Sequence, residues 1–208
     1  MNDYPQLKRR GLAVCVSGPS GVGKGTVINE LLRRNSRVAH SVSLTTRSPR
    51  PGEQEGVAYY FTDKTHFESL IENGQILEYD TYCDNYYGTP REALEQKITQ
   101  GIDVVLDITV PGSLSIMERY PEALTLFLMP PSFSELEHRL RRRGTEDESV
   151  ILKRLQKARD EIHMAHLFQY AIVNDSVSQA VDRILHIIEA EHCRYIRQSG
   201  IEKMILTR

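Results

Sequence analysis

The chain has 208 residues, a length that suits one domain with a sizeable core and room for inserted subdomains. Its formal net charge of −2 argues against a general nucleic-acid-binding protein, and no apolar run approaches the ~18 residues that a membrane-spanning helix needs. Three cysteines, Cys15, Cys83 and Cys193, have no paired spacing, so they indicate neither a disulfide framework nor a zinc site and favour a reduced, cytosolic compartment.

The first predicted element is a buried strand at residues 12–16, because its residues are continuously apolar rather than alternating. A glycine-rich segment follows it and leads into a helix that should end near Arg33 and Arg34. The order of strand, glycine-rich loop and helix is typical of a phosphate-binding loop, in which backbone N–H groups point at phosphate oxygens. The residues of this candidate ATP-binding loop are Gly18, Pro19, Ser20, Gly21, Val22, Gly23, Lys24, Gly25 and Thr26.

Lys24 and Thr26 carry the chemistry that such a loop needs. A lysine at this position reaches the β- and γ-phosphates of ATP, and a hydroxyl close to it ligates Mg²⁺. The loop departs from the strict pattern because Gly25, rather than Ser or Thr, follows Lys24. Thr26 has the nearest hydroxyl, so we expect it to be the Mg²⁺ ligand. The alternative is a glycine-rich turn with a chance lysine.

A second strand is expected at residues 38–43, and a small β-rich insertion at residues 43–90. Residues 43–53 are polar and contain two prolines, so we expect no core element there. The further elements predicted in the insertion are a strand at 57–61, a helix capped by Thr62 or Asp63 and ended by Gly74, a strand at 76–82 and a turn at 85–90.

The rest of the chain alternates between strands and helices, which predicts an α/β fold with a mostly parallel sheet covered on both faces. The predicted elements are a helix at 91–100, a strand at 103–107, a helix at 112–120, a strand at 124–129, a helix capped by Ser132, a helix at 150–166, a strand at 170–173 and a helix capped by Ser176 that runs to about Tyr195. Two excursions, at 43–90 and 134–158, should stand over the carboxyl edge of the sheet and flank the phosphate loop.

Polar residues outside the loop suggest a second ligand. Asp107 ends a buried strand at the edge where ligands bind in such sheets. Arg47 and Arg50, with hydroxyls nearby, suit a phosphate monoester because a guanidinium fork grips its oxygens bidentately. A solvated basic turn explains the same two arginines equally well.

Several motifs, spread over residues 11–175, carry a resemblance to one family. They are the phosphate loop, the run from Ser43 to Glu53, Tyr59-Tyr60-Phe61, Glu78, Asn85-Tyr86-Tyr87-Gly88-Thr89, Asp107, Arg143-Gly144-Thr145-Glu146 and Val173-Asn174-Asp175. Together they resemble the guanylate kinase family, whose members transfer a phosphoryl group from ATP to GMP. The resemblance implies a three-layer P-loop core at 1–42, 91–133 and 159–208, a GMP-binding subdomain at 43–90, a lid at 134–158, and Mg²⁺ with ATP.

The resemblance also implies a role for each matching residue. The residues that would bind GMP are Ser43, Arg47, Arg50, Tyr59, Glu78, Tyr87, Gly88, Thr89 and Asp107. Among them Glu78 and Thr89 would read guanine, which presents N1–H and an exocyclic amine side by side to one carboxylate. Adenine lacks that pair of donors and would leave the carboxylate unpaired. A solvated carboxylate on a strand is the alternative interpretation of Glu78 from its residue type alone.

The ATP side would involve Arg139 and Asn174, with lid arginines closing over the phosphates. The residues that the resemblance makes catalytic are Lys24, Arg47, Arg143 and Arg154, because guanidinium and ammonium groups stabilise the charge of the transition state. A basic helix face that pairs with neighbouring glutamates is the alternative for the lid arginines.

The sequence departs from the family at Thr109 and Pro111, where the family usually has a second acid and a glutamine. This departure removes no phosphate-gripping group, so we still expect activity. Two other functions stay open: a related kinase for a phosphorylated sugar, and a non-catalytic guanylate-kinase-like binding module. Glu78 with Thr89 argues against the first and the retained Gly23-Lys24 against the second. We expect neither nucleic acid nor membrane as a partner, while a homo-oligomer is left open.

Overall fold

The computed structural model describes residues 9–142 and 147–207, so the predicted catalytic residue Arg143 and the motif residues 144–146 lie outside the described residues. The described strands are β1 (Ala13–Ser17), β2 (Val38–His40), β3 (Leu44–Thr45), β4 (Tyr60–Phe61), β5 (Ile76–Tyr82), β6 (Asn85–Pro90), β7 (Asp103–Asp107), β8 (Leu124–Met129) and β9 (Tyr170–Val173). The described helices are α1 (Lys24–Arg34), α2 (Lys64–Glu72), α3 (Arg91–Thr99), α4 (Val110–Arg119), α5 (Phe133–Arg142), α6 (Glu148–His163), α7 (Val177–His192) and α8 (Ile201–Leu206), with 3₁₀ helices at Met164–Leu167 and Tyr195–Arg197.

The central sheet has the strand order β2-β7-β1-β8-β9, and its pairings are parallel. Strand β1 lies in the middle of this sheet, and its continuously apolar sequence suits that position, in which all five of its residues are buried. Val14 on one face packs in a cluster with Ile184 of α7, while Cys15 on the other face packs with Leu94 of α3. Helices therefore cover both faces, and the predicted three-layer α/β fold with a mostly parallel sheet is confirmed.

A second, smaller sheet has the order β4-β3-β6-β5, and here one prediction is wrong. Residues 85–90 are strand β6, antiparallel to both β3 and β5, rather than a turn. The turn lies earlier, at Cys83 and Asp84, whose φ angles of +48° and +60° are those of a tight hairpin turn. Tyr86 and Tyr87 favour the extended conformation, and their pairing on two sides outweighs the turn signal of the adjacent glycine and proline.

The predictions for residues 43–61 also need correction. Leu44 and Thr45 form strand β3 and are only 8% and 0% exposed, so the segment does contribute a core element. The strand predicted at 57–61 is confined to Tyr60–Phe61. The Gly56 N–H donates to the Tyr59 carbonyl at 2.8 Å, and this turn leaves Val57 70% exposed.

The other differences concern the ends of elements. Strand β2 ends at His40, α6 ends at His163 and α7 ends at His192, each earlier than the sequence predicted. The Ser176 side chain does not cap α7; instead Asp175 Oδ1 accepts from the Ser176 N–H at 2.7 Å. Asp63 caps α2 as predicted, by accepting from the His66 N–H. Among the helices described, none combines the length and the apolar character needed to cross a bilayer.

Candidate active site

The phosphate loop follows β1 directly and has a shape that requires glycine. A Cβ on Gly18 would lie 2.5 Å from the Leu128 carbonyl oxygen, so no side chain fits there. Gly23 has φ +95° and is the residue immediately before α1, in the left-handed region that glycine adopts without strain. The loop therefore approaches strand β8 closely and then turns into the positive end of α1.

Lys24 and Asp107 lie together at the carboxyl edge of the sheet. The Lys24 Nζ donates to the Gly18 carbonyl at 3.4 Å and is 3.9 Å from Asp107 Oδ1. Strands β1 and β7 bring them together, because Val16 and Asp107 are partners in the parallel register. Thr26 lies exposed in the first turn of α1, two residues after Lys24.

Arg139 and Asn174 support the loop from the lid side. Asn174, only 3% exposed, donates its amide to the Val22 carbonyl at 2.8 Å. Arg139 donates to the same carbonyl at 3.4 Å and to the Asn174 carbonyl at 3.2 Å. Its hydrogen bond to Glu135 lowers the pKa of that carboxyl. Arg139 and Asn174 thus both contact the backbone of the phosphate loop at Val22. Their contact with ATP stays a prediction.

Arg154 contacts the loop one residue before Gly21. Its Nε and Nη2 donate to Ser20 Oγ at 3.2 and 2.8 Å. The Ser20 N–H donates to Glu161 Oε2 at 3.2 Å, and Glu161 lies on the same helix, α6, as Arg154. Sequence reasoning missed Glu161, since a single acid in a helix rich in charge carries no signal that it reaches a loop 141 positions away.

Arg47 is the centre of a second cluster, within the insertion. Its Nη2 lies 2.8 and 2.9 Å from the two carboxylate oxygens of Glu53, and its guanidinium carbon is 5.4 Å from the centre of the Tyr59 ring. The rings of Tyr59 and Tyr87 meet edge to face with centroids 5.8 Å apart. The structure therefore brings together three of the predicted phosphate-binding residues. Glu53 is an acid in the quoted motif to which the sequence had given no role.

Electrostatics keep Arg47 charged and hold the loop around it. The hydrogen bonds that Arg47 donates to Glu53 are the main cause that raises the pKa of Arg47; desolvation lowers this pKa, and Tyr87 raises it further. The Arg50 N–H donates to Glu53 at 2.8 Å, and this bond is the main cause that lowers the pKa of Glu53. The Arg50 side chain is exposed, and Ser43 contributes its carbonyl to the Tyr60 N–H at 2.9 Å. Arg50 therefore contacts the cluster through its backbone N–H, whereas the Ser43 carbonyl binds Tyr60, the residue that follows Tyr59.

Glu78 and Thr89 form a buried pair on the antiparallel strands β5 and β6. The Thr89 hydroxyl donates to Glu78 Oε1 at 2.7 Å. Thr89 is 1% exposed and Glu78 is 8% exposed. Burial raises the pKa of Glu78, the Thr89 hydroxyl lowers it, and Asp80 raises it. Gly88, also buried, has no room for a side chain, because a Cβ would lie 2.8 Å from the Glu78 carbonyl oxygen. Each carboxylate oxygen has two lone pairs, so Glu78 can accept further donors besides the Thr89 hydroxyl.

The first turn of α4 lies against the other oxygen of Glu78. A Cβ on Gly112 would be 3.0 Å from Glu78 Oε2. The Gly112 N–H donates to Thr109 Oγ1 at 3.2 Å, so Thr109 caps α4, and Pro111 stands in the first turn, where a missing N–H costs nothing. The departure from the family at Thr109 and Pro111 is therefore compatible with a well-formed helix start.

A parallel sheet with a phosphate loop at its carboxyl edge, together with a separate arginine cluster and the buried Glu78–Thr89 pair, defines a P-loop α/β protein of the small-kinase class. Comparison with known proteins narrows this class. The family model described as guanylate kinase matches residues 10–191.

Two curated guanylate kinases illustrate the likeness. That of Desulfitobacterium hafniense (strain Y51) is 47% identical over 191 residues, which are 92% of this chain and 96% of the relative. That of Latilactobacillus sakei subsp. sakei (strain 23K) is 50% identical over 192 residues, 92% of this chain and 95% of the relative. The crystal structure of guanylate kinase from Anaplasma phagocytophilum matches with a TM-score of 0.73 and 36% identity, over 98% of this chain and 97% of that one. The chain belongs to the guanylate kinase family.

Proposed function

We propose that this chain transfers the γ-phosphoryl group of ATP to GMP, by in-line displacement, and gives ADP and GDP. The observation that carries the choice of acceptor is the buried Glu78, hydrogen-bonded to Thr89 through one oxygen and flanked by Gly112 at the other. Its carboxylate would accept N1–H and the exocyclic amine of guanine. A phosphorylated sugar offers no such pair of donors, so an acceptor of that kind would leave the carboxylate unpaired.

The GMP phosphate would bind at the Arg47 cluster. The guanidinium already lies beside the rings of Tyr59 and Tyr87, and Glu53 holds it in place. Arg50 and Ser43 would complete the site with their side chains. Asp107 would contact GMP or the metal shell from the end of β7. The attacking phosphate oxygen is ionised near neutral pH, so the reaction needs no general base.

On the ATP side, the loop N–H groups and Lys24 would hold the β- and γ-phosphates. Arg154 and Arg139 contact the loop at Ser20 and Val22, which supports the proposal that each would neutralise charge on the transferring group. We include Arg143 in this proposal as a catalytic arginine of the lid; it lies outside the residues that the structure describes. Catalysis would then consist of positioning, charge neutralisation and exclusion of water by closure.

The donors near the loop fit Mg²⁺, which prefers carboxylate, hydroxyl and phosphate oxygens. Asp107 and Thr26 would hold it together with the ATP phosphates. The ion would neutralise charge on the β- and γ-phosphates. In this proposal residues 43–90 form the GMP-binding subdomain and 134–158 the lid, on a core of residues 1–42, 91–133 and 159–208, and the protein works in the cytoplasm.

A coupled assay of ADP release with GMP, AMP, CMP and UMP tests the proposal. We expect turnover with GMP and a loss of kcat/KM for GMP of between about 10- and 100-fold in Glu78→Gln, since one buried partner of a charged hydrogen bond is lost. Asp80→Asn, an exposed carboxylate on the same strand, is the matched control. Equal turnover of all four acceptors, or equal effects of the two variants, would refute guanine reading by Glu78.

A further inference from the structure

Two side chains of α6 bind the same residue of the phosphate loop from two directions. Arg154 donates to the Ser20 hydroxyl, and Glu161 accepts from the Ser20 N–H. The two residues are seven positions apart, which is two helical turns, and therefore lie on one face of α6. One helix thus supplies a cation and an anion to a single loop residue.

Glu161 is placed where a carboxylate is costly. It is 8% exposed and lies next to the buried Ala158, one helical turn away on α6. A buried carboxylate destabilises the fold unless hydrogen bonds compensate for lost hydration. The Ser20 N–H lies 3.2 Å from one oxygen, and the largely exposed Lys157 ammonium lies 3.8 Å from the other. The contact with Ser20 is the shorter of these two interactions, and it connects the Glu161 carboxylate to the phosphate loop.

The loop backbone places Ser20 in a turn, which the Val22 N–H closes by donating to the Pro19 carbonyl at 3.1 Å, and the contacts from α6 add to this turn. Gly18 precedes Ser20 by two residues, and Gly21, with φ +91°, follows it directly. Glycines allow the required turns but also permit others. Val22 is fixed by Asn174, and Ser20 by Glu161.

We propose that Glu161 is a positioning residue for phosphoryl transfer, which holds Ser20 so that its hydroxyl docks the Arg154 guanidinium beside the phosphate loop before ATP arrives. This inference rests on the proposed function, in which Arg154 neutralises charge on the transferring group. Glu161 itself touches no substrate. Because the Ser20 N–H donates to the Glu161 carboxylate, it is not available to phosphate. The backbone N–H groups that bind phosphate would therefore be those of the loop residues after Ser20.

Replacing Glu161 by Ala tests the proposal. Loss of the acceptor frees Ser20 and displaces Arg154, so we expect kcat to fall by up to about 100-fold, the cost typical of a misplaced catalytic group. The dissociation constant of GMP measured without ATP should stay unchanged, because the acceptor site lies on other elements. Glu161→Gln keeps an acceptor oxygen and should stay within about fivefold of the wild-type kcat. Asp160→Ala, an exposed acid one residue earlier on α6, is the matched control and should match wild type.

A double-mutant cycle with Arg154→Ala separates positioning from a general structural role. If Glu161 acts through Arg154, the loss of kcat caused by Arg154→Ala should be several-fold smaller in the Glu161→Ala background than in wild type. Fully additive losses, a wild-type kcat in Glu161→Ala, or a parallel loss of GMP binding would each overturn the proposal. If Arg154→Ala alone leaves kcat unchanged, the assigned role of Arg154 fails. If Arg154→Ala impairs kcat and Glu161→Ala does not, only the inference on Glu161 fails.

Discussion

Gly112→Ala should weaken the recognition of GMP and leave the stability of the protein close to that of wild type. The new Cβ would lie 3.0 Å from Glu78 Oε2 and 3.3 Å from Thr109 Oγ1, whereas ordinary contacts begin at 3.4 Å. The carboxylate must therefore retreat by about 0.4 Å, and it is held on its other side by a 2.7 Å hydrogen bond from Thr89. Since a misplacement of about 1 Å can cost about 100-fold, a shift of this size should lower kcat/KM for GMP by about 5- to 10-fold.

The same substitution should not unfold the protein. Gly112 lies in the first turn of α4, and alanine is favoured over glycine in helices by up to about 1 kcal/mol, which offsets the close contact. Steady-state kinetics with each substrate varied in turn would show a changed KM for GMP and an unchanged KM for ATP, and thermal melts would show a Tm close to wild type. Pro111→Ala, at the neighbouring exposed position of α4, serves as the control. Wild-type kcat/KM for GMP in Gly112→Ala would refute the idea that α4 fixes the position of Glu78.

Three further predictions concern neighbouring side chains. Burial raises the pKa of Glu78, so the stability that its protonated form contributes is lost as pH rises through that pKa, and thermal melts should show a higher Tm for Glu78→Gln at neutral pH. Protonation of Glu78 should lower kcat/KM for GMP at acidic pH in the wild type, and pH–rate profiles should show that this fall is absent in Glu78→Gln. Lys24→Ala should lower kcat by about 100-fold or more with unchanged circular dichroism, and normal rates would mean that the phosphate loop is not used. Thr109→Ala should destabilise the protein by about 1 kcal/mol in urea melts, because α4 loses its cap, whereas Thr109→Asp keeps the cap and should not.

The parts of the fold that could be predicted from sequence are those specified by local pattern. The continuously apolar strands of the central sheet and the cap of α2 by Asp63 depend on neighbouring residues alone. Strand β6 could not be recognised, because its Asn, Gly and Pro are typical of a turn. Its pairing with β3 joins residues as far apart as Leu44 and Gly88, and the hairpin turn falls instead on Cys83 and Asp84.

In the candidate site too, only the features specified by local sequence could be predicted. The phosphate loop is contiguous in sequence, so its pattern alone indicated where phosphate would bind. The residues that hold the site in shape are distant from what they contact: Glu161 reaches Ser20, and Gly112 lies against Glu78. A supporting acid in a helix and a glycine near a helix start resemble many others, and only the tertiary packing distinguishes them.

The most direct measurement follows the label from γ-labelled ATP in the presence of GMP and Mg²⁺. The account predicts that the label appears in GDP, with ADP formed in equal amount, and that omitting GMP stops the reaction. Label that accumulates as inorganic phosphate while GMP remains unchanged would contradict it.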